Sequence, residues 1–240
     1  MPGEPAPPQS PLLQQVWRAS QLAVSRAIAC STGHAVLDQQ LPDRGWPRST
    51  LVELLLQQAG IGEMQLLKPA LAALSQSQRI ALVQPPYLPQ AMACEAWGID
   101  SGRLLWIRAK NTADALWSSE QLLKNGSCGA VIVWQSHVRG ESLRRLNLAA
   151  QGTDTWFWFM RPLACAGDSS PATLRLALRP ALGGVAIDIV KRRGPRCDAP
   201  LFLALPDMPA ARHFPEPENA TAVEPVPALA GARNLAPVLV

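Results

Sequence analysis

No stretch of the 240 residues approaches the ~20 consecutive apolar positions that a membrane-spanning helix needs, so none is expected. No C-x-x-C pair occurs. The five cysteines (Cys30, Cys94, Cys128, Cys165, Cys197) stand singly and their count is odd, which argues against a disulfide framework or a zinc site. The three histidines (His34, His137, His213) are equally scattered, so no metal site is expected. Charged residues make up only 17% of the chain, while the apolar share of 48% is ordinary for a globular protein. The opening MPGEPAPPQSP has neither a basic n-region nor an apolar h-region, unlike a signal peptide, and a cytoplasmic location is the expectation. A chain of this length forms one domain or at most two and buries roughly 70% of its unfolded surface.

Charge is unevenly placed. Net charge is +4, yet residues 136–196 hold ten Lys/Arg against four acids. Arginine outnumbers lysine 18 to 4. Guanidinium forks suit two-point contacts to phosphate or carboxylate, although high-GC codon usage gives the same bias.

Residues 1–11 carry five prolines and read as a disordered leader, and residues 12–30 as a helix or arm. From residue 206 the chain is rich in Pro, Ala and Glu. It reads as a disordered tail ending on an apolar string, so the folded part is expected at 31–205. Within that part, strands are expected at Leu51–Leu56, Arg79–Val83, Arg103–Ile107, Gly129–Trp134 and Thr155–Met160. Helices are expected at Glu63–Leu74, Leu88–Trp97, Asn111–Lys124 and Glu141–Ala150. Pro69 predicts a kink in the first helix or a start at that point. Most of the strands are continuous apolar runs, as in a parallel sheet covered on both faces. Thr173–Arg179 and Val185–Val190 instead alternate across Gly183-Gly184, which predicts an antiparallel hairpin with one wet face. Leu201–Leu205 adds a last strand. The fold class is α/β, a mainly parallel sheet flanked by helices with a C-terminal antiparallel extension.

A strand that runs through a glycine-bearing loop into a helix is where a phosphate loop would sit. Here the segment LLLQQAGIGEMQLL has Gly60 and Gly62, but Glu63 and Met64 stand where lysine and hydroxyl belong, or Gly62 and Glu63 if the register slips by one. The strand GAVIVW ends in Gln135, which cannot supply the carboxylate that orients magnesium, and RIALVQ runs into Pro85 and Pro86. No cofactor and no ATP hydrolysis are expected, and no catalytic residue is assigned.

The motifs LPDRGWPRSTLVELL, AGIGEMQLLKPAL, WFMRPLA and VKRRGPRCDAPLFLALP resemble the ImuA family, RecA-related accessory proteins of bacterial translesion DNA synthesis. The resemblance covers about residues 31–206, and Ser31–Leu55 is similar to the opening of the RecA recombinase core. The cell-division inhibitor SulA is a shorter relative in this group. The resemblance implies a RecA-like core over 31–205. It implies a non-catalytic accessory or scaffold role in the SOS response to DNA damage, beside an ImuB-like polymerase-family protein and an error-prone replicative-type DNA polymerase. RecA contact and nucleoid association during damage are implied as well. The alternative is a SulA-like regulatory inhibitor that binds a RecA filament or a tubulin-like division protein. The counterparts of RecA's DNA loops are short (Ser136–Glu141) or hold one glycine, Gly167 (Pro162–Pro171), so weak or indirect DNA contact is expected rather than filament-type binding.

Two readings stand for each remaining feature. Arg139, Arg144 and Arg145 form either a site for DNA phosphate or an acidic partner, or a solvated helix face. Lys191, Arg192, Arg193 and Arg196 either meet phosphates or serve solubility and backbone contacts. Trp156–Phe159 either stacks bases or packs a core, with the tryptophans on one strand face and the phenylalanines on the other. The N-terminal helix supports self-association or packs on its own core. Leu235, Val238, Leu239 and Val240 form a docking tail or a frayed end.

Overall fold

A computed structural model of the chain describes residues 30–195 and 199–205. The leader, nearly all of the residue 12–30 arm, Arg196 and the 206–240 tail lie outside those residues.

Helices and strands alternate in the order α1 (Ala35–Asp38), β1 (Thr50–Leu56), α2 (Glu63–Ser75), β2 (Ile80–Val83), α3 (Ala91–Ala96), β3 (Leu104–Ile107), α4 (Thr112–Asn125), β4 (Ala130–Trp134), α5 (Gly140–Gln151), β5 (Trp156–Pro162), β6 (Leu174–Ala181), β7 (Gly184–Lys191) and β8 (Leu201–Ala204). The strands form one sheet ordered β3-β2-β4-β5-β1-β6-β7-β8. The first six are parallel, and β7 pairs antiparallel with both β6 and β8. The chain is thus α/β, with a mostly parallel sheet and an antiparallel C-terminal end. Among the described residues, no helix is long and apolar enough to cross a membrane.

Local chemistry explains the best-marked helix. Asn111 caps α4 by accepting the Asp114 amide at 2.9 Å, and Gly126 ends it in the left-handed region. α2 runs through Pro69, which excludes a helix start at that point. Gly33 makes room for that proline, because a Cβ at Gly33 would lie 2.3 Å from the Pro69 ring.

Each sheet face carries its own apolar layer. Val52, Leu54, Trp156 and Trp158 meet α1 and α2 on one side. Leu51, Val131, Phe157 and Phe159 meet α4 and α5 on the other. Trp158 packs edge-on to Trp46 with centroids 5.7 Å apart. All four aromatics of 156–159 are buried, so the core reading holds and base stacking by them is excluded. Asn147 of α5 fixes the start of β1 by accepting the Leu51 amide at 2.8 Å and the Thr50 hydroxyl at 3.2 Å.

Two expectations fail. β3 is an edge strand with Leu105 and Trp106 each 40% exposed, so its apolar run is not covered on both faces. The hairpin face carrying Arg175 is not wet. Arg175 is buried and donates from Nε to Glu53 Oε2 at 2.5 Å. Its Nη atoms reach the carbonyls of Cys165, Ala166 and Asp168. Glu53, fully buried in β1, also meets Arg161 Nη1 at 3.3 Å, and Arg161 Nη2 meets Asp168 at 2.9 Å. This network holds the 3-10 turn Leu163–Gly167 against β1 and β6.

Removing one partner of a buried ion network leaves charge without compensation, which costs about 3–5 kcal/mol. Urea melts of Glu53→Gln should show a loss of that size, while Asp188→Ala, which opens the exposed Arg179 pair, should cost under about 1 kcal/mol. Equal, small losses would contradict the assignment.

Candidate functional site

Between β1 and α2 the chain makes the turn Gln57–Gly62, whose start is tied to β6 by the Gln57 amide donating to the Leu178 carbonyl at 3.2 Å. Gly60 (φ 83°) and Gly62 (φ 114°) take left-handed conformations that side chains rarely adopt. Tyr87 lies against Gly60, where a Cβ would approach its ring to 3.2 Å. Such a turn aims successive amides inward, toward the positive end of the following helix, and so makes an anion cradle.

In this chain the cradle is filled by its own residue. Glu63, 2% exposed, folds back so that Oε1 accepts the Gly60 amide at 2.8 Å. Burial pushes its pKa up, and the amides of Gly60, Glu63, Gly62 and Ile61 oppose that rise. A nucleotide phosphate in the same place would meet a carboxylate instead of amides. Met64, in the hydroxyl position, packs against the core.

The cleft beyond the strand ends has a volume of about 450 Å³. Gln58, Gln84 and Gln135 give it neutral amides where an ATPase holds acids. Gln135 accepts the Thr112 hydroxyl at 3.0 Å, tying β4 to α4. Gln84, at φ 55°, donates to the Ala109 carbonyl. Arg161 lines the cleft too, but its guanidinium is committed to Glu53 and Asp168. An amide can neither take a proton from water nor balance a metal's charge, so this lining supplies no hydrolytic base. Among the described residues, no three His, Cys, Asp or Glu side chains come together to hold a metal ion.

The basic residues divide. Arg139, which precedes α5, and Arg144 are exposed. Arg145 is not a free cation, because its Nε meets Glu120 of α4 at 2.9 Å. Lys124 bonds the same carboxylate at 2.8 Å, and it with Arg145 holds the Glu120 carboxyl below its ordinary range. Lys191 donates to the Ser170 carbonyl at 2.9 Å. Arg192 donates to the carbonyls of Pro195 and Gln40, so for these two the backbone-contact reading holds. Arg193 is exposed beside a cavity of about 260 Å³ that Arg48 also lines. Arg196, Leu235, Val238, Leu239 and Val240 lie outside the described residues.

Sequence reasoning missed the fold-back of Glu63, although a glutamate three residues after Gly60 at a helix start is the spacing that lets a side chain reach back to an amide. It also missed the groove beside α3, whose signal was the run Pro85-Pro86-Tyr87-Leu88-Pro89.

No protein-family model matches the chain, and no curated protein matches it. Among solved structures, the crystal structure of SulA from Pseudomonas aeruginosa is similar, with 26% identity, 48% of this chain and 99% of that chain covered, and a TM-score of 0.40. An overlay that loose decides neither fold nor function.

Because burial raises the folded pKa of Glu63 above its unfolded value near 4.5, the folded state binds that proton more tightly. Its contribution to stability is therefore greatest at low pH and is lost as pH rises past about 4.5. Glu63→Gln cannot titrate. Its melting temperature relative to wild type should rise as the pH is raised past about 4.5 and then level off. A difference that is flat or falls with pH would show that the carboxyl is not buried in the cradle.

Proposed function

We propose that the chain is a non-catalytic accessory or scaffold protein built on a degenerate RecA-like nucleotide-binding core, acting in a damage-induced, error-prone translesion DNA synthesis complex. The observation that carries the non-catalytic part is the Glu63 carboxylate seated in the amide cradle of its own loop. The neutral lining of Gln58, Gln84 and Gln135 supports it. With the phosphate position filled and no acid at the end of β4, the fold keeps its shape and has no use for ATP.

The translesion part rests on the ImuA-family motifs in residues 31–206. On that reading the partners are an ImuB-like polymerase-family protein, an error-prone replicative-type DNA polymerase and RecA, met on the nucleoid during damage. DNA contact is weak or indirect in this account. Lys191, Arg192 and Arg145 are engaged within the chain, which leaves Arg139, Arg144 and Arg193 as the exposed cations of the described sites. Neutralising so few phosphates gives weak, salt-sensitive affinity.

Affinity capture with the full chain from DNA-damaged cells tests the assignment. Polymerase subunits should be recovered, and their recovery should survive nuclease treatment. Capture of a tubulin-like division protein without any polymerase would overturn the proposal in favour of a division inhibitor.

A further inference from the structure

The cavity of about 260 Å³ beside Arg193 lies at the end of the sheet opposite the Glu63 cradle. It is lined by Thr50 at the start of β1, Thr173 just before β6, and Arg192 and Arg193 where the chain leaves β7. The cradle follows the other end of β1, seven residues or about 23 Å away. The two sites are therefore separate.

Three arginines, Arg48, Arg192 and Arg193, line this cavity against one acid, Asp43. Arg48 is anchored, with its guanidinium 4.4 Å from the Trp156 ring centroid and Nη1 2.7 Å from the exposed Asp154. Arg192 is half-buried and bonds only neutral oxygens, from Nε to the Pro195 carbonyl at 2.8 Å and from Nη1 to Gln40. Carbonyls satisfy its hydrogens without balancing its charge. Nη2 of Arg48 and Nη2 of Arg192 make no hydrogen bond among the described residues. A half-buried cation without a counter-ion is unfavourable, so the cluster carries an unmet demand for an anion. The loop that presents Arg48 is also held in a costly shape. Arg44 and Ser49 have φ of 54° and 58°, where residues other than glycine are uncommon. Ser49 is pinned there by its amide on the Thr155 carbonyl at 3.1 Å and its hydroxyl on the Thr153 carbonyl at 2.6 Å. Strain of this kind clusters at ligand sites.

We propose that this cavity binds the dianionic phosphate group of a monoester. A carboxylate is taken up by one guanidinium fork, whereas a terminal phosphate offers three oxygens to several forks at once. The lining carries an excess of two positive charges, which is the charge of a monoester above about pH 6. The Ser49 and Thr50 hydroxyls already donate within the chain, so the guanidiniums make the contacts. Magnesium-bound ATP falls outside this class, because the metal neutralises its terminal phosphate. The group arrives either on a free small molecule or at the end of a nucleic-acid strand, and the chemistry recognised is the same.

Calorimetric titration of the full chain with inorganic phosphate, at about pH 7.5 and constant ionic strength, tests the site. Saturable binding below about 1 mM is expected. Arg193→Ala, which removes an exposed side chain, should weaken it about ten-fold, while Lys110→Ala, an exposed cation beyond β3, should leave it unchanged. Two oligonucleotides then separate the sources. A 5′-phosphorylated strand that binds about ten-fold tighter than its 5′-hydroxyl form, with the difference lost in Arg193→Ala, assigns the strand end. Equal binding of the two strands by a chain that takes up inorganic phosphate assigns the free small molecule. Absence of saturable phosphate binding, or an Arg193→Ala affinity no different from that of Lys110→Ala, would overturn the proposal. Neither result bears on the polymerase partners, which the capture experiment reads separately.

Discussion

Every residue of β1 is buried, and the strand has neighbours on both sides and apolar layers above and below. A carboxylate in the middle of such a strand is the constraint around which the rest is arranged. Burying an unpaired charge costs several kcal/mol, so Glu53 requires cations from the adjoining strands. Arg161 of β5 and Arg175 of β6 supply them, and Asp168 balances the second positive charge. Arg175 also gathers the carbonyls of Cys165, Ala166 and Asp168 and so holds that turn against the sheet. What reads in the sequence as basic character on a hairpin is therefore internal scaffolding. The position of β1 also sets where its loop opens.

That loop faces a second electrostatic demand. Amides converging at a helix start attract an anion, and in a nucleotide-binding protein the ligand provides it. Here Glu63 provides it within the chain. A tethered carboxylate competes at high effective concentration with any free phosphate, and its own charge repels one. A single residue thus satisfies the geometry of the turn. The loop becomes a fixed structural corner, and the cleft beside it is left with amides.

Much of this architecture was legible in the sequence, because the strands are continuous apolar runs and the α4 cap is a local signal spanning three residues. The alternation of Trp156 and Trp158 against Phe157 and Phe159 followed from the period of a strand. The failures were of another kind. Nothing in the local pattern of Leu104–Ile107 marks it as the sheet's edge, since strand order is decided by distant pairings. Arg175 looked exposed because its neighbours alternate, yet its partner lies 122 residues away in Glu53. For Lys191 and Arg192 two readings stood open, phosphate contact or backbone contact, because their carbonyl partners, at Ser170 and Gln40, come from other parts of the chain. The substitution of the phosphate-loop residues was plain from sequence. That Glu63 would itself fill the cradle became visible from its Oε1 accepting the Gly60 amide.

The central claim is that the cradle already holds its anion, and calorimetric titration of the full chain with magnesium–ATP tests it most directly. No saturable binding is predicted up to about 1 mM nucleotide, equivalent to an affinity weaker than about −4 kcal/mol. Saturable micromolar binding accompanied by turnover would contradict the account, because it would require Glu63 to leave the cradle and a catalytic base to come from outside the glutamine-lined cleft.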